Sequence, residues 1–384
     1  MAVIDLTDVA VVDNHCHAVE VAQHGDPASW RGLFTESPDP RMRAEDAAAT
    51  PFYRRLLRAM AAFHEVPATE EAVLAARDQL STADLVARLF ADAQIGVVVV
   101  DTGFPAPDRA MPGESFDRAS RADRVSLLRL ELRFQELVAV HDRYDDLVEA
   151  VGAELADVRG AGFAGFKSIA GYRTGLAIER WPDDAARAAF RDARDEFAAT
   201  GGVRLGHKPL TDTLLHVAFA AAASQELPVQ FHVGYGDPDA DLRTANPLEL
   251  RAVLEESAYR SMPVVLLHGC WPYFREGAYL ASVYGNAHLD ISYAIPFLST
   301  GEMVSMTRAA IGTAPSTKLM YSSDGARVPE LHWLGARSGR EAIGRVLGEL
   351  VSDGDLDAGE ARHAGELILR ENACRLYGLD GGRR

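Results

Sequence analysis

Cysteine is scarce: Cys16, Cys270 and Cys374 lie far apart and form no CxxC pair. This excludes a disulfide framework and accords with a reducing compartment. Apolar runs long enough to span a membrane are also missing, since charges or glycines cut the longest of them. The N-terminal stretch MAVIDLTDVAVVDNH lacks the basic segment and long apolar segment of a signal peptide. A cytoplasmic location with no membrane partner is therefore expected. Positive charge is short as well. Against 56 Asp and Glu stand 39 Lys and Arg, and the net charge of -17 argues against non-specific binding to nucleic acid or to an anionic membrane surface. A small anionic substrate stays open, because a pocket can carry its own arginines. Internal repeats, low-complexity tracts and obvious linkers are absent too.

What is present suits a large folded unit. Hydrophobic residues at 48% can bury a sizeable core, and 384 residues fit one large barrel with an insertion or two ordinary domains. Eight short apolar runs ending in polar residues recur: 9–17, 95–103, 126–134, 162–170, 228–234, 263–269, 286–292 and 318–325. Continuous Val, Ile and Leu are what parallel strands buried on both faces require. Most runs are separated by helix-like segments such as 184–201 and 246–260, the latter opened by Asn246-Pro247 as cap and first helical residue. The alternation predicts an α/β fold, a (β/α)8 TIM-type barrel, from residues 1–19 and 95–384. Between runs one and two lie far more residues than one connection needs. The helix-like insertion at 20–94 follows strand 1, so it is expected on the catalytic face as a cap; a separate oligomerisation lobe, and with it a homo-oligomer, is the alternative.

Ionisable residues fall where strands stop. His15 and His17 end run one, two apart, so alternation points both inward. Lys167 ends run four, His232 run five, His268 run six and Asp324 run eight. Barrels place catalytic groups at these strand ends. Each residue alone has an ordinary explanation: two histidines can line a polar rim, a lysine can be solvated, and Asp324 in YSSDG can simply start a turn. Their joint placement carries the argument. Imidazole and carboxylate suit Zn²⁺ first, with Mn²⁺ or Fe²⁺ as alternatives, and four histidines plus an aspartate exceed one tetrahedral ion's needs. Two ions are then expected if a negative group bridges them.

The ordered set VDNHCH, GFKSIAGYRTG, VQFHVGYGD, VVLLHGCWP and MYSSDG resembles the amidohydrolase superfamily, and the ending ILRENACRLYGL resembles the tail of its second large subfamily. WRGLFTES, FKSIAGYRTGL and DISYAIPF are similar to the branch fused to glutamine synthetase in some fungi and plants, although no synthetase half is present. The resemblance covers nearly the whole barrel. It implies that His15, His17 and Asp324 bind one divalent metal and His232 and His268 a second, with Lys167 bridging both as a carbamate formed with CO2. A neutral lysine could capture CO2, and lysine is the cation whose pKa moves most readily on burial. A free Lys167 would leave a one-metal site.

The implied reaction is hydrolysis of a C–N bond in an amide by metal-activated water, with Asp324 as catalytic base. A γ-glutamyl amide or similar amino-acid conjugate is the small-molecule substrate the branch suggests. For a substrate carboxylate the candidate contacts are Arg133, Tyr172, Arg173, Arg243, Arg327 and His332. In run three, Arg129, Glu131 and Arg133 share one parity, read as facing the interior with Arg133 nearest the site. Cys16 is read as packing, and His207, His216, His288 and His363 are given no chemistry. The alternatives are a one-metal decarboxylase or sugar-acid isomerase on the same barrel, and a non-enzymatic barrel.

Overall fold

Val, Ile and Leu dominate segments that must satisfy their backbone in a sheet while hiding both faces. In the computed structural model, which describes residues 3–21 and 26–379, they do so as eight parallel strands. These are β1 (Val11–Cys16), β2 (Ile95–Asp101), β3 (Asp123–Arg129), β4 (Phe163–Ser168), β5 (Val229–Phe231), β6 (Val264–Leu266), β7 (Ala287–Ser292) and β8 (Leu319–Ser322). Each pairs with the next in chain order. The first and last come together where the Asp324 amide donates to the His15 carbonyl at 3.0 Å and the His17 amide to the Gly325 carbonyl at 2.8 Å. The result is the expected (β/α)8 barrel.

Side chains alternate between two cores. Along β2, Val97 and Val99 join Val12, Leu127, Val265 and Met320 inside the barrel, while Val98 and Val100 face the helices. Ala373 and Tyr377 pack onto the inner cluster, and the Gln230 amide donates to the Tyr377 hydroxyl at 2.7 Å. β1 departs from strict alternation: its register against β2 shifts between Asp13 and Cys16. The shift lets Asn14 reach Asp290 across the interior while His15 turns to the site, with Cys16 packed in the outer core.

Run three is shorter than the sequence reading expects. β3 stops at Arg129 and the helix Leu130–Val140 follows at once. Leu130, Phe134, Leu137 and Val138 recur at the spacing of one helical face, and all four are buried. This helical period overrides the alternation inferred for 126–134.

Between β1 and β2 lie the helices Pro27–Arg31, Pro40–Ala44, Pro51–His64, Glu70–Arg77 and Thr82–Asp92. Side chains of Asp26, Asp39, Thr50, Thr69 and Ser81 cap their free amides. Thr82–Asp92 packs against the helices Gly113–Ser120 and Pro329–Asp353, within the outer ring. A buried ion pair helps fasten the rest: Arg77 donates to Glu330 at 2.6 Å, its guanidinium 4.7 Å above the Trp30 ring, while Arg55 donates to the Leu298 carbonyl at 3.4 Å and Phe63 packs on Trp333. Among the described residues no helix is long and apolar enough to cross a membrane. Removing one partner of a buried pair strands the other charge, so Arg77→Met should cost about 3–5 kcal/mol. Urea denaturation should show a lowered midpoint, largely restored in the Arg77→Met, Glu330→Leu double variant.

Candidate metal centre

Strand ends deliver six ligand-type side chains to one point. His15 Nε2 and His17 Nε2 each lie 3.5 Å from Asp324 Oδ1. His268 Nδ1 lies 3.3 Å from Asp324 Oδ2, and its Nε2 is 3.0 Å from His232 Nδ1. The Lys167 ammonium nitrogen is 3.3 Å from His15 Nε2. The positions named from the sequence thus converge, and His15, His268 and Asp324 alone present three ligand atoms within 4.8 Å of one another. His15, His17 and Asp101 form a second such group.

Backbone conformation aims several of them. His268 and Asp324 both adopt positive φ, 62° and 56°, which turns each side chain back over the strand ends. Gly234, two residues past His232, has φ 80° and sits where a Cβ would lie 2.1 Å from the Trp271 carbonyl, so only glycine permits that close approach.

Burial sets the protonation. It drives His15 down to about 4, with Lys167 adding repulsion, and lowers His232 and His268 well below the ordinary imidazole range. Burial also pulls Lys167 from 10.5 down to about 8 despite the attraction of Asp101. For Asp324, burial opposes ionisation, but His268, His15 and His17 outweigh it and hold the carboxyl well below its usual value. The set therefore includes neutral imidazoles at His15, His232 and His268, a readily deprotonated amine and a carboxylate. His15 Nδ1 and His17 Nδ1 are buried with no hydrogen-bond partner among the described residues. Lone-pair donors crowded round one carboxylate with so few compensating protons fit a divalent cation.

A supporting layer escaped the sequence reading. Asp101 ends β2, lies 3.9 Å from His17 Nδ1 and accepts from both Nε and Nη2 of Arg129 of β3. Its signal was available: a carboxylate closing an otherwise apolar strand. Asp290, inside β7, accepts from Asn14 at 2.7 Å, Ser322 at 2.8 Å and Ser292 at 3.1 Å, and from the His268 amide at 3.3 Å. Burial raises it to about 7 despite those donors. Tyr235, from the loop after β5, donates its hydroxyl to Asp324.

Above the ligands open two adjoining cavities of about 310 and 410 Å³, which share Glu36, Phe104, Tyr235, Asp237 and Asp324. Tyr172 and Arg173 line the first, Arg327 the second. Three expected contacts are not there. Arg133 is on the helix Leu130–Val140, paired with Glu154 and Glu136, because the strand that would have carried it inward has ended. Arg243 is largely exposed and bonded to Asp241 within its own loop. His332 is on the helix Pro329–Asp353, fully buried, 3.8 Å from Asp13 and outside both cavities. Cys16 is buried packing, and His288 is on β7 with burial lowering it to about 4.

Comparison with known proteins agrees with this geometry. Protein fluG of Emericella nidulans is 38% identical over 223 residues, which is 56% of this chain but 26% of that protein, so the chain spans about a quarter of its length. A crystal structure from Lactobacillus casei, provisionally described as a metal-dependent hydrolase, superposes with a TM-score of 0.87 at 28% identity, covering 97% of this chain and 96% of that one. Uronate isomerase from Thermotoga maritima shares the fold, with a TM-score of 0.68 at 12% identity over 97% and 95% of the two chains. The amidohydrolase family model matches residues 169–379, more than half of the sequence, and the chain belongs to that family.

Proposed function

We propose that the protein hydrolyses the C–N bond of a carboxylate-bearing amide, a γ-glutamyl amide or similar amino-acid conjugate first among them. The observation that carries this reading is the convergence of His15, His17, Lys167, His232 and His268 on the Asp324 carboxylate. Gly32, Leu33, residues 35–38 and Arg43 of the long insertion line the cavity above it, which supports the reading of that segment as a cap.

The residues divide the work by chemistry. His15, His17 and Asp324 would hold one divalent ion, His232 and His268 a second, with Zn²⁺ the first choice by donor type. Bound there, such ions would supply Lewis-acid polarisation of a scissile carbonyl and lower the pKa of a water. Lys167, buried and with its pKa drawn down to about 8, would offer the neutral amine that takes up CO2 and becomes the bridging carbamate. Asp324 takes the proton from the attacking water and returns it to the leaving amine. Arg173 faces the cavity with its Nε buried and unpartnered among the described residues, and would receive the substrate carboxylate. Phe104 and Tyr235 wall the cavity.

A second reading, a one-metal isomerase of sugar acids, is favoured by one observation: His15, His268 and Asp324 already form a three-donor group without Lys167. Metal stoichiometry separates the two. Two ions per chain, falling to one or none in Lys167→Ala, is the result expected for the hydrolase.

Asp324→Asn keeps the shape of the side chain but abolishes its charge and basicity. Turnover should fall roughly 10²–10⁴-fold, the range for losing a general base, even after metal is replenished. Near-normal turnover in the replenished variant would reduce Asp324 to a ligand.

Carbamate formation has a pH signature. Only the neutral amine reacts, and it reacts with CO2, so at a fixed concentration of dissolved ¹³CO2 uptake followed by NMR should speed up as pH rises towards about 8, where Lys167 loses its proton, and level off above it. An ordinary lysine would still be mostly charged there. A missing carbamate signal at every pH would leave Lys167 unmodified and remove the bridge.

A further inference from the structure

Glu36 belongs to the WRGLFTES segment of the insertion. Beneath it Phe34 is fully buried against Trp30, Phe52 and Tyr53, with ring centroids 4.9, 6.3 and 5.7 Å apart, so the backbone carrying Glu36 is firmly anchored. The side chain lines both cavities above the metal centre.

Its surroundings are unusual for a carboxylate. Other acids near the site have cationic or hydrogen-bonding partners: Asp101 has Arg129, Asp239 has Arg204 at 3.0 Å, and Glu131 has Ser168 and the Ile169 amide. Glu36 makes no hydrogen bond or ion pair to any described residue. The cation that acts on it, Arg327, is committed elsewhere: its Nε lies 3.7 Å from Glu20 and its guanidinium 5.0 Å over the Phe104 ring. Burial, with Asp324 and Asp237 adding negative charge, raises Glu36 to about 7. A half-buried carboxylate held rigidly beside two others is unfavourable until a positive group arrives.

The same cavity holds the opposite deficiency in Arg173, whose Nε is buried without a partner. An anion-seeking guanidinium and a cation-seeking carboxylate thus face one space over the metal centre. We infer that Glu36 selects substrates bearing a cationic nitrogen, so that the molecule accepted is a zwitterion whose ammonium docks on Glu36 while its carboxylate docks on Arg173. This rests on the hydrolase reading above and narrows it: the amino-acid part of the conjugate must keep its α-amino group free.

L-Glutamate and glutarate differ only by that ammonium and provide the test. Calorimetry on the full chain loaded with Zn²⁺ should show L-glutamate binding about 10- to 100-fold tighter, the span of one charge-assisted hydrogen bond. In Glu36→Gln the two affinities should become equal, and Glu36→Asp, which keeps the charge, should recover part of the ratio. Equal affinities in the unaltered chain, including no binding of either acid, or a ratio unchanged in Glu36→Gln, would overturn the inference. The companion assay compares γ-glutamyl-p-nitroanilide with glutaryl-p-nitroanilide. If glutamate is preferred but neither anilide is cleaved, the hydrolase reading fails and Glu36 keeps its role. If both anilides are cleaved at equal kcat/KM, hydrolysis stands and Glu36 does not.

Discussion

The Asp324 amide donates to the His15 carbonyl at 3.0 Å, and most of the site's geometry follows from that bond. It joins the last strand to the first, so closing the barrel and bringing the ligands together are one event. The junction is reinforced from behind. Asp13 of β1 accepts from the Ser323 amide at 2.7 Å and from its hydroxyl, fixing the residue just before Asp324. Gly325 leaves room for His332, whose ring atoms would stand 2.7–2.8 Å from any Cβ there. Asp290 does the same work across the barrel, tying β1, β7 and β8 to the turn that carries His268.

This arrangement is costly on its own terms. Imidazoles are stripped of water and kept neutral, and buried nitrogens of His15 and His17 lack partners among the described residues. Each unsatisfied buried polar atom costs about 1–3 kcal/mol. A cation bound only by the folded state would offset that cost through mass action. The barrel supplies the stability that lets the centre exist in this state: two separate cores, inner and outer, surround strands whose backbone groups are paired.

How much of this could be read from the sequence depended on whether one physical signal dominated. Buried parallel strands leave continuous apolar runs, and a ligand just after each run is visible as a break in polarity. His15, His17, Lys167, His232, His268 and Asp324 were legible for that reason. Arg133 misled because Leu alternates with Arg and Glu through 128–133, while the helical spacing of Leu130, Phe134 and Leu137 only becomes decisive once these residues pack on neighbouring helices. Asp290 was passed over because a carboxylate within a strand gains meaning only from what faces it across the barrel, whereas Asp101, closing an apolar strand, carried the same signal as the ligands. Glu36 and His332 belong to no strand pattern. Their positions depend on how the insertion and the Pro329–Asp353 helix lie against the barrel, which local periodicity does not encode.

The junction between β1 and β8 also bears on the order of events at the ribosome. His15 is made with the first strand of the barrel, yet its partner carboxylate and the carbonyl-seeking amide beside it come only after the last. At typical elongation rates of about 5–20 residues per second, the first strand waits on the order of tens of seconds for the last. A nascent or prematurely ended chain therefore holds histidines from β1 and β5 but no Asp324 to gather them. Such fragments, however well their early helices form, would be unable to assemble the complete ligand set, and metal loading becomes a report on whether synthesis ran past β8.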